Sequence, residues 1–393
     1  MQAMKGMKTL RSGRNRRKWI YVLLLMGLLG LTGCGSPSSA SVEMSSQTEL
    51  VKTGSMELQY AENFAVDYYE DGYKMLTTLP DSKRYLLVPE GQPVPRGLDE
   101  DVSILQEPLQ NIYLVASGAM DMFASLDAVD QIRFSGQKQE NWYIQTAKDA
   151  MAAGDMIYAG KYSKPDYELL VSEGCDLAIE NRMITHSPEV VEMLQSFDIP
   201  VMIEYSSYEQ HPLGKVEWVK FFGALTGKEA EAEEAFAEQT EILEKVESGE
   251  KTGKTIAFFY VTSNGLIQVR QSTDYIPKLI ELAGGRYIFE DLEDSGSGRS
   301  TLNMQVEDFY AGAKDADILI YNSSIDGGVT TLDELIGKCN ILKDFKALQE
   351  GQVYCTTNDM YQQSMAIGYL LQDMHTVLTD DDTAKLRYLF LLQ

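Results

Sequence analysis

From about residue 110 to the C-terminus, apolar positions follow two alternating rhythms. Short runs rich in Ile, Leu, Val and Tyr read as buried strands: 112–116 (IYLVA), 156–159, 177–179 and 201–203, then 256–260, 287–289, 318–321 and 353–356. Between them, apolar residues recur at helical spacing, as in MDMFASLDAV after Ser117 and Gly118, and in 274–282, which Gly284 and Gly285 close. Strand and helix alternating in this way predict parallel sheets covered by helices. Between the two series stands 228–247, KEAEAEEAFAEQTEILEKVE. Its Ala232, Ala235, Phe236, Ile242, Leu243 and Val246 mark one face of a helix otherwise filled with Glu, Lys, Gln and Ala, a rod of about 30 Å.

The two series match at finer grain. Helical residues from Glu168 lead to a strand opening at Asp176, and helical residues from Glu307 lead to one opening at Asp315, both at an eight-residue offset. The same order on each side of the rod favours an internal duplication. The expected fold class is α/β: two Rossmann-like lobes with parallel sheets joined by a single long helix. Upstream, 58–76 alternates around a turn at Glu70, Asp71 and Gly72, a small β-hairpin extension, and Pro and Gly between 91 and 97 mark a loop. The expected divisions are a leader at 1–33, a tether at 34–55, a first lobe with its hairpin at 56–212, a connecting helical segment at 213–248 and a second lobe at 249–393.

The leader carries seven basic residues and no acid before Ile20, then twelve apolar positions, too few to span a bilayer core that needs about twenty. Leu31, Thr32, Gly33 and Cys34 resemble a bacterial lipobox, which makes Cys34 the acylated N-terminus of an exported chain anchored to the outer face of the cytoplasmic membrane. Ser-rich residues 36–47 cannot order themselves. Removing the leader's seven positive charges takes the net charge from −25 to −32, a surface that argues against nucleic acid and anionic lipid as partners. Cys175, Cys339 and Cys355 read as buried thiols, with a Cys339–Cys355 bridge as the alternative in an exported protein.

The lipobox LTGC, the stretch FDIPVMIEYSSYEQHPLGKVEWVKFFGALTGKEAEAEEAF, and the segments DYIPKLIELAGGRYIF and EDFYAGAKDADILIYNS together resemble the class III substrate-binding lipoproteins of ABC importers, which deliver iron-siderophore complexes, haem and cobalamin. The resemblance covers about residues 110–378. It implies a monomeric receptor, no enzyme, that holds a metal-chelate small molecule in an interlobe cleft and needs no cofactor of its own. Its partners are then a permease and its ATPase. It also implies that one acid on each lobe docks on the permease, by position Glu168 and Glu307. A bland reading stands beside this one, since acids in a helix's first turn suit its dipole and Ser163 with Asp166 resembles a capping box.

Cleft candidates are residues that follow strands. Arg270 leads, because a guanidinium forks onto carboxylate or catecholate oxygens. Tyr205, Tyr260, Tyr321 and Tyr361 would form an aromatic wall, each with a core or rim position as its alternative, and Ser117, Arg182 and Arg133 are further candidates. His186, His211 and His375 show no metal-ligand spacing, so any metal is expected to arrive chelated within the ligand. Sparse basic residues keep a neutral cobamide in play. Ser295, Gly296, Ser297 and Gly298 read as a loop by composition, and no nucleophile elbow, P-loop or dinucleotide fingerprint supports an enzyme on this fold.

Overall fold

The computed structural model describes residues 50–292, 300–323, 328–380 and 383–393. The leader, Cys34, most of the tether and the 295–298 loop lie outside them. The last tether residues are not tether: Lys52–Ser55 form strand β1, antiparallel to β2 (Phe64–Tyr69). The expected hairpin is part of a five-stranded sheet in which β3 (Lys74–Thr78) and β4 (Lys83–Val88) continue the antiparallel order and β5 (Val102–Gln106) adds in parallel. Phe64, Val66, Leu76, Tyr85 and Leu87 pack one face into the main core, while Tyr73, Met75, Leu86 and Val88 build a satellite cluster on the other. Burial on both faces is why the strands past the hairpin lack clean alternation.

The first lobe comprises β6 (Ile112–Leu114), α1 (Ala119–Ser125), β7 (Ile132–Ser135), α2 (Gln145–Ala153), β8 (Ile157–Tyr158), a two-strand ribbon of β9 (Gly160–Lys161) and β10 (Lys164–Pro165), α3 (Tyr167–Ser172), β11 (Leu177–Asn181), α4 (Pro188–Ser196) and β12 (Val201–Glu204). Its sheet is wholly parallel, in the order β12-β11-β6-β7-β8. Asp166 caps α3, its carboxylate accepting from the Leu169 amide at 3.1 Å.

The connection consists of two helices, α5 (Pro212–Thr226) and α6 (Glu229–Glu247). Gly227, at φ 72°, takes the left-handed conformation that ends α5. Gly223 permits the close return of α6, because a Cβ there would lie 2.6 Å from that of Ala232. All of α5 but Thr226 is buried. The N-terminal sheet covers its back, with Phe64 edge-on to Trp218 and Phe221 at 5.0 and 5.3 Å. The amphipathic α6 keeps its charged face in water.

The second lobe runs β13 (Thr255–Val261), β14 (Ile267–Arg270), α7 (Tyr275–Leu282), β15 (Arg286–Tyr287), β16 (Thr301–Met304), α8 (Val306–Ala313), β17 (Ile318–Tyr321), α9 (Leu332–Lys338), α10 (Lys346–Gln349), β18 (Val353–Thr356), α11 (Ile367–Thr379) and β19 (Leu389–Leu391). Its parallel strands β18-β17-β13-β15 repeat the order β12-β11-β6-β7, with antiparallel β14, β16 and β19 at the edges. The matching aspartates are Asp176 and Asp317, not Asp315. Asp176 accepts the Gln110 and Asn111 amides at 3.0 and 2.9 Å, at the start of β6, and Asp317 accepts the Thr255 amide at 2.7 Å, at the start of β13. Helix α8 has eight residues where α3 has six, which accounts for the two-residue shift. Cys175, Cys339 and Cys355 carry no disulfide among the described residues, so the Cys339–Cys355 bridge is not formed.

Candidate functional site

Two cavities of about 500 and 360 Å³ open side by side between the lobes, sharing Arg182, Ser207, Tyr208 and Ser300 in their walls. The first lobe supplies residues at the C-terminal ends of its parallel strands: Ser117 beyond β6, Asn181 and Arg182 at β11, and Glu204, Tyr205 and Tyr208 at β12. Side chains are free to converge there because strand pairing has ended. The second lobe contributes differently, through Gln268 and Arg270 on β14, Thr301 on β16, and Tyr361 from the segment after β18. Lys215, in the first turn of α5, and Tyr275, at the start of α7, complete the floor.

Charge is concentrated on that floor. Arg270 is 9 % exposed; its Nη1 donates to Asp274 Oδ2 at 3.3 Å and its Nη2 to the Tyr361 hydroxyl. Asn322 Nδ2 donates to the same hydroxyl at 2.6 Å. Burial works against the Arg270 charge, but Tyr361 and Asp274 outweigh it and hold the guanidinium protonated beyond its usual range. The Tyr361 phenol is pushed up to about 12 by burial, against the pull of Arg270. Lys215 is 3 % exposed, and its ammonium sits 4.8 Å from the centre of the Tyr275 ring. Burial lowers its pKa, opposed chiefly by Glu204. Glu204 is itself raised by burial, and it accepts the Ser206 amide at 2.6 Å. At the rim, Arg182 stacks over Tyr208 at 4.5 Å.

Of the expected cleft residues, Arg270, Tyr205, Tyr361, Ser117 and Arg182 line these cavities. Tyr260 and Tyr321 do not. Tyr321 is fully buried against Phe259 at 5.5 Å, and Tyr260 lies half-buried beside it, both packed in the second-lobe core. Their strands carry a core face there, and the cleft wall is taken by β14 and β16. Arg133 is a structural ion-pair residue, 2.8 Å from Glu173. His211 stacks on Tyr60 at 4.4 Å and caps α5, and His375 meets the Ala283 carbonyl at 2.9 Å. Among the described residues, no group of three His, Cys, Asp or Glu side chains is arranged to hold a metal. Lys215 and Glu204 were missed by sequence reasoning. A lysine inside the apolar run HPLGKVEWVKFFGAL was the available signal.

The segment carrying Tyr361 also clasps the first lobe. The Tyr143 amide donates to Gln362 Oε1 and Gln362 Nε2 to the Asn141 carbonyl, both at 2.8 Å. The Met365 amide donates to Asp121 at 2.7 Å, and burial lifts that carboxyl to about 6. Away from the cleft, Glu168 and Glu307 stand exposed in the first turns of α3 and α8, the paired helices of the two lobes.

No protein-family model matches the chain. An uncharacterised lipoprotein of Methanocaldococcus jannaschii is 24 % identical over 91 % of this chain and 92 % of its own length. Among solved structures, a possible iron-binding solute-binding protein from Staphylococcus epidermidis superposes with a TM-score of 0.53 and 17 % identity, over 68 % of this chain and 98 % of that one. A periplasmic haem-binding protein of Vibrio cholerae gives 0.54 and 14 %, over 68 % and 98 %. A molybdate-binding periplasmic protein of Haemophilus influenzae gives 0.54 and 12 %, over 72 % and 91 %.

Proposed function

Because the chain has the class III periplasmic solute-binding fold, we propose that it is the extracytoplasmic receptor of an ABC importer, capturing an iron complex, a ferric siderophore or haem, in the interlobe cleft. The observation that carries this reading is the cleft itself: two cavities within the size range of small-molecule sites, walled by both lobes, with Arg270 and Lys215 buried at the floor and Tyr205, Tyr208 and Tyr361 around them. Buried cations favour an anionic complex over a neutral cobamide, which is the second reading within the same fold. The similarity to a protein named a lipoprotein supports anchoring through Cys34, and the paired exposure of Glu168 and Glu307 supports their docking on a permease.

The test is a thermal-shift panel of haem, ferric siderophores and cobamides with the mature protein. A stoichiometric dose of the cognate ligand raises Tm without turnover, since a ligand bound only by the folded state stabilises it by mass action. A rise with cobamide alone replaces the iron reading. Consumption of any panel member replaces the receptor reading with an enzymatic one.

A further inference from the structure

Lys215 presents an ammonium that the fold has buried without giving it a hydrogen-bonding partner among the described residues. It is 3 % exposed and lines the cleft, its ammonium lies over the face of Tyr275, and Glu204 is the carboxylate whose charge favours it most. The nearby carboxylates are committed elsewhere, Glu204 to the Ser206 amide and Asp274 to Arg270 and the Ile276 amide. An unpaired buried charge is costly unless something else completes it. Arg270 faces the same space, and its outward hydrogen bond goes to the Tyr361 hydroxyl, an internal group in the position that an acidic oxygen of a ligand would take.

We infer that Lys215 and Arg270 together grip two acidic oxygens of one ligand, carboxylate, phenolate or inorganic oxyanion, with Lys215 reading that charge from the helical connection between the lobes. The ligand completes the hydrogen bonding of Lys215 and replaces Tyr361 on Arg270. The inference rests on the receptor reading and narrows it to anions. It also gives a helix that links the lobes a direct contact with the cargo, whereas Arg182 touches it from the rim of one lobe.

The experiment titrates the wild type, Lys215→Met and Lys215→Arg with a trianionic ferric tris-catecholate, a neutral ferric tris-hydroxamate and molybdate, and records the ligand-free Tm of each protein. The expected result is that at least one anion binds the wild type, that Lys215→Met weakens it about tenfold or more, and that Lys215→Arg restores part of the loss. The ligand-free Tm of Lys215→Met holds or rises, because a methionine there leaves no charge buried. Equal affinity of wild type and Lys215→Met for the bound anion overturns the inference, as does a wild-type preference for the neutral chelate or binding of neither anion. Molybdate binding without either iron chelate upholds the role of Lys215 and removes the iron complex from the proposed function.

Discussion

Glu180 shows how far burial alone can alter a side chain. It lies on β11, fully buried, with no hydrogen-bond partner for either carboxyl oxygen among the described residues and with Tyr113 and Tyr167 close enough to feel its charge. Desolvation pushes its carboxyl up to about 8. Raised above the ordinary carboxylate value, the group binds a proton more tightly in the folded state than in the unfolded one. Its contribution is therefore complete below the ordinary value and is lost as pH climbs towards 8. Glu180→Gln, which keeps the neutral shape, is expected to flatten that decline and add on the order of 2 to 4 kcal/mol at pH 8, read from urea unfolding at several pH values. Parallel pH profiles for the two proteins would refute this account. Local sequence does not show this, since the groups known to lie near its charge, Tyr113 and Tyr167, come from other elements.

At the scale of elements, α5 organises the molecule. Two of its neighbouring acids hold the chain that enters from the N-terminal side. Glu217, fully buried, accepts the Gln59, Tyr60 and Ala61 amides at 2.8 to 3.1 Å, and Glu209 accepts those of Glu62 and Asn63 at 2.9 and 3.0 Å with the Trp218 indole at 2.9 Å. Lys220 closes the cluster, 3.6 Å from Glu217 and 3.0 Å from Glu233. The segment leading from the expected lipid anchor is thus strapped across the helix between the lobes. Glu217→Ala strands three amides and leaves Lys220 with Glu233 alone, and is expected to cost about 3 to 5 kcal/mol, with Glu217→Gln costing less. Hydrogen exchange at residues 59–61 should rise in the alanine variant. If it stays at the wild-type rate, the strap is held by something else. The helical spacing of 213–248 was legible, but the burial of its charged positions 215, 217 and 220 was not. A helix buried all round carries no amphipathic signature.

For the whole molecule, the repeated order β12-β11-β6-β7 and β18-β17-β13-β15 places α3 and α8 at equivalent positions. That equivalence is the physical content of the docking proposal. Reversing Glu168 and Glu307 to Lys changes two exposed charges in the first turns of short helices, a change that surface ion-pair energetics put at about 1 kcal/mol of stability or less. Ligand affinity is expected to stay within about twofold of wild type, while uptake in cells carrying the cognate permease falls to background. Uptake at the wild-type rate would remove both residues from the docking surface.

Periodicity by itself determined the alternation of strand and helix, the two lobes and the helical connection, because these follow from local spacing, whereas the candidacy of Arg270 came from guanidinium chemistry joined to the ligands that the resemblance implies. Only tertiary structure decided the five-stranded N-terminal sheet, the two-residue shift in the repeat, the retreat of Tyr260 and Tyr321 into the core, and the arrival of Lys215 at the cleft floor. Each depends on which surfaces meet. A strand's pattern says that one face is buried but not what covers it, and a lysine's pattern says nothing of whether water or a second lobe lies opposite.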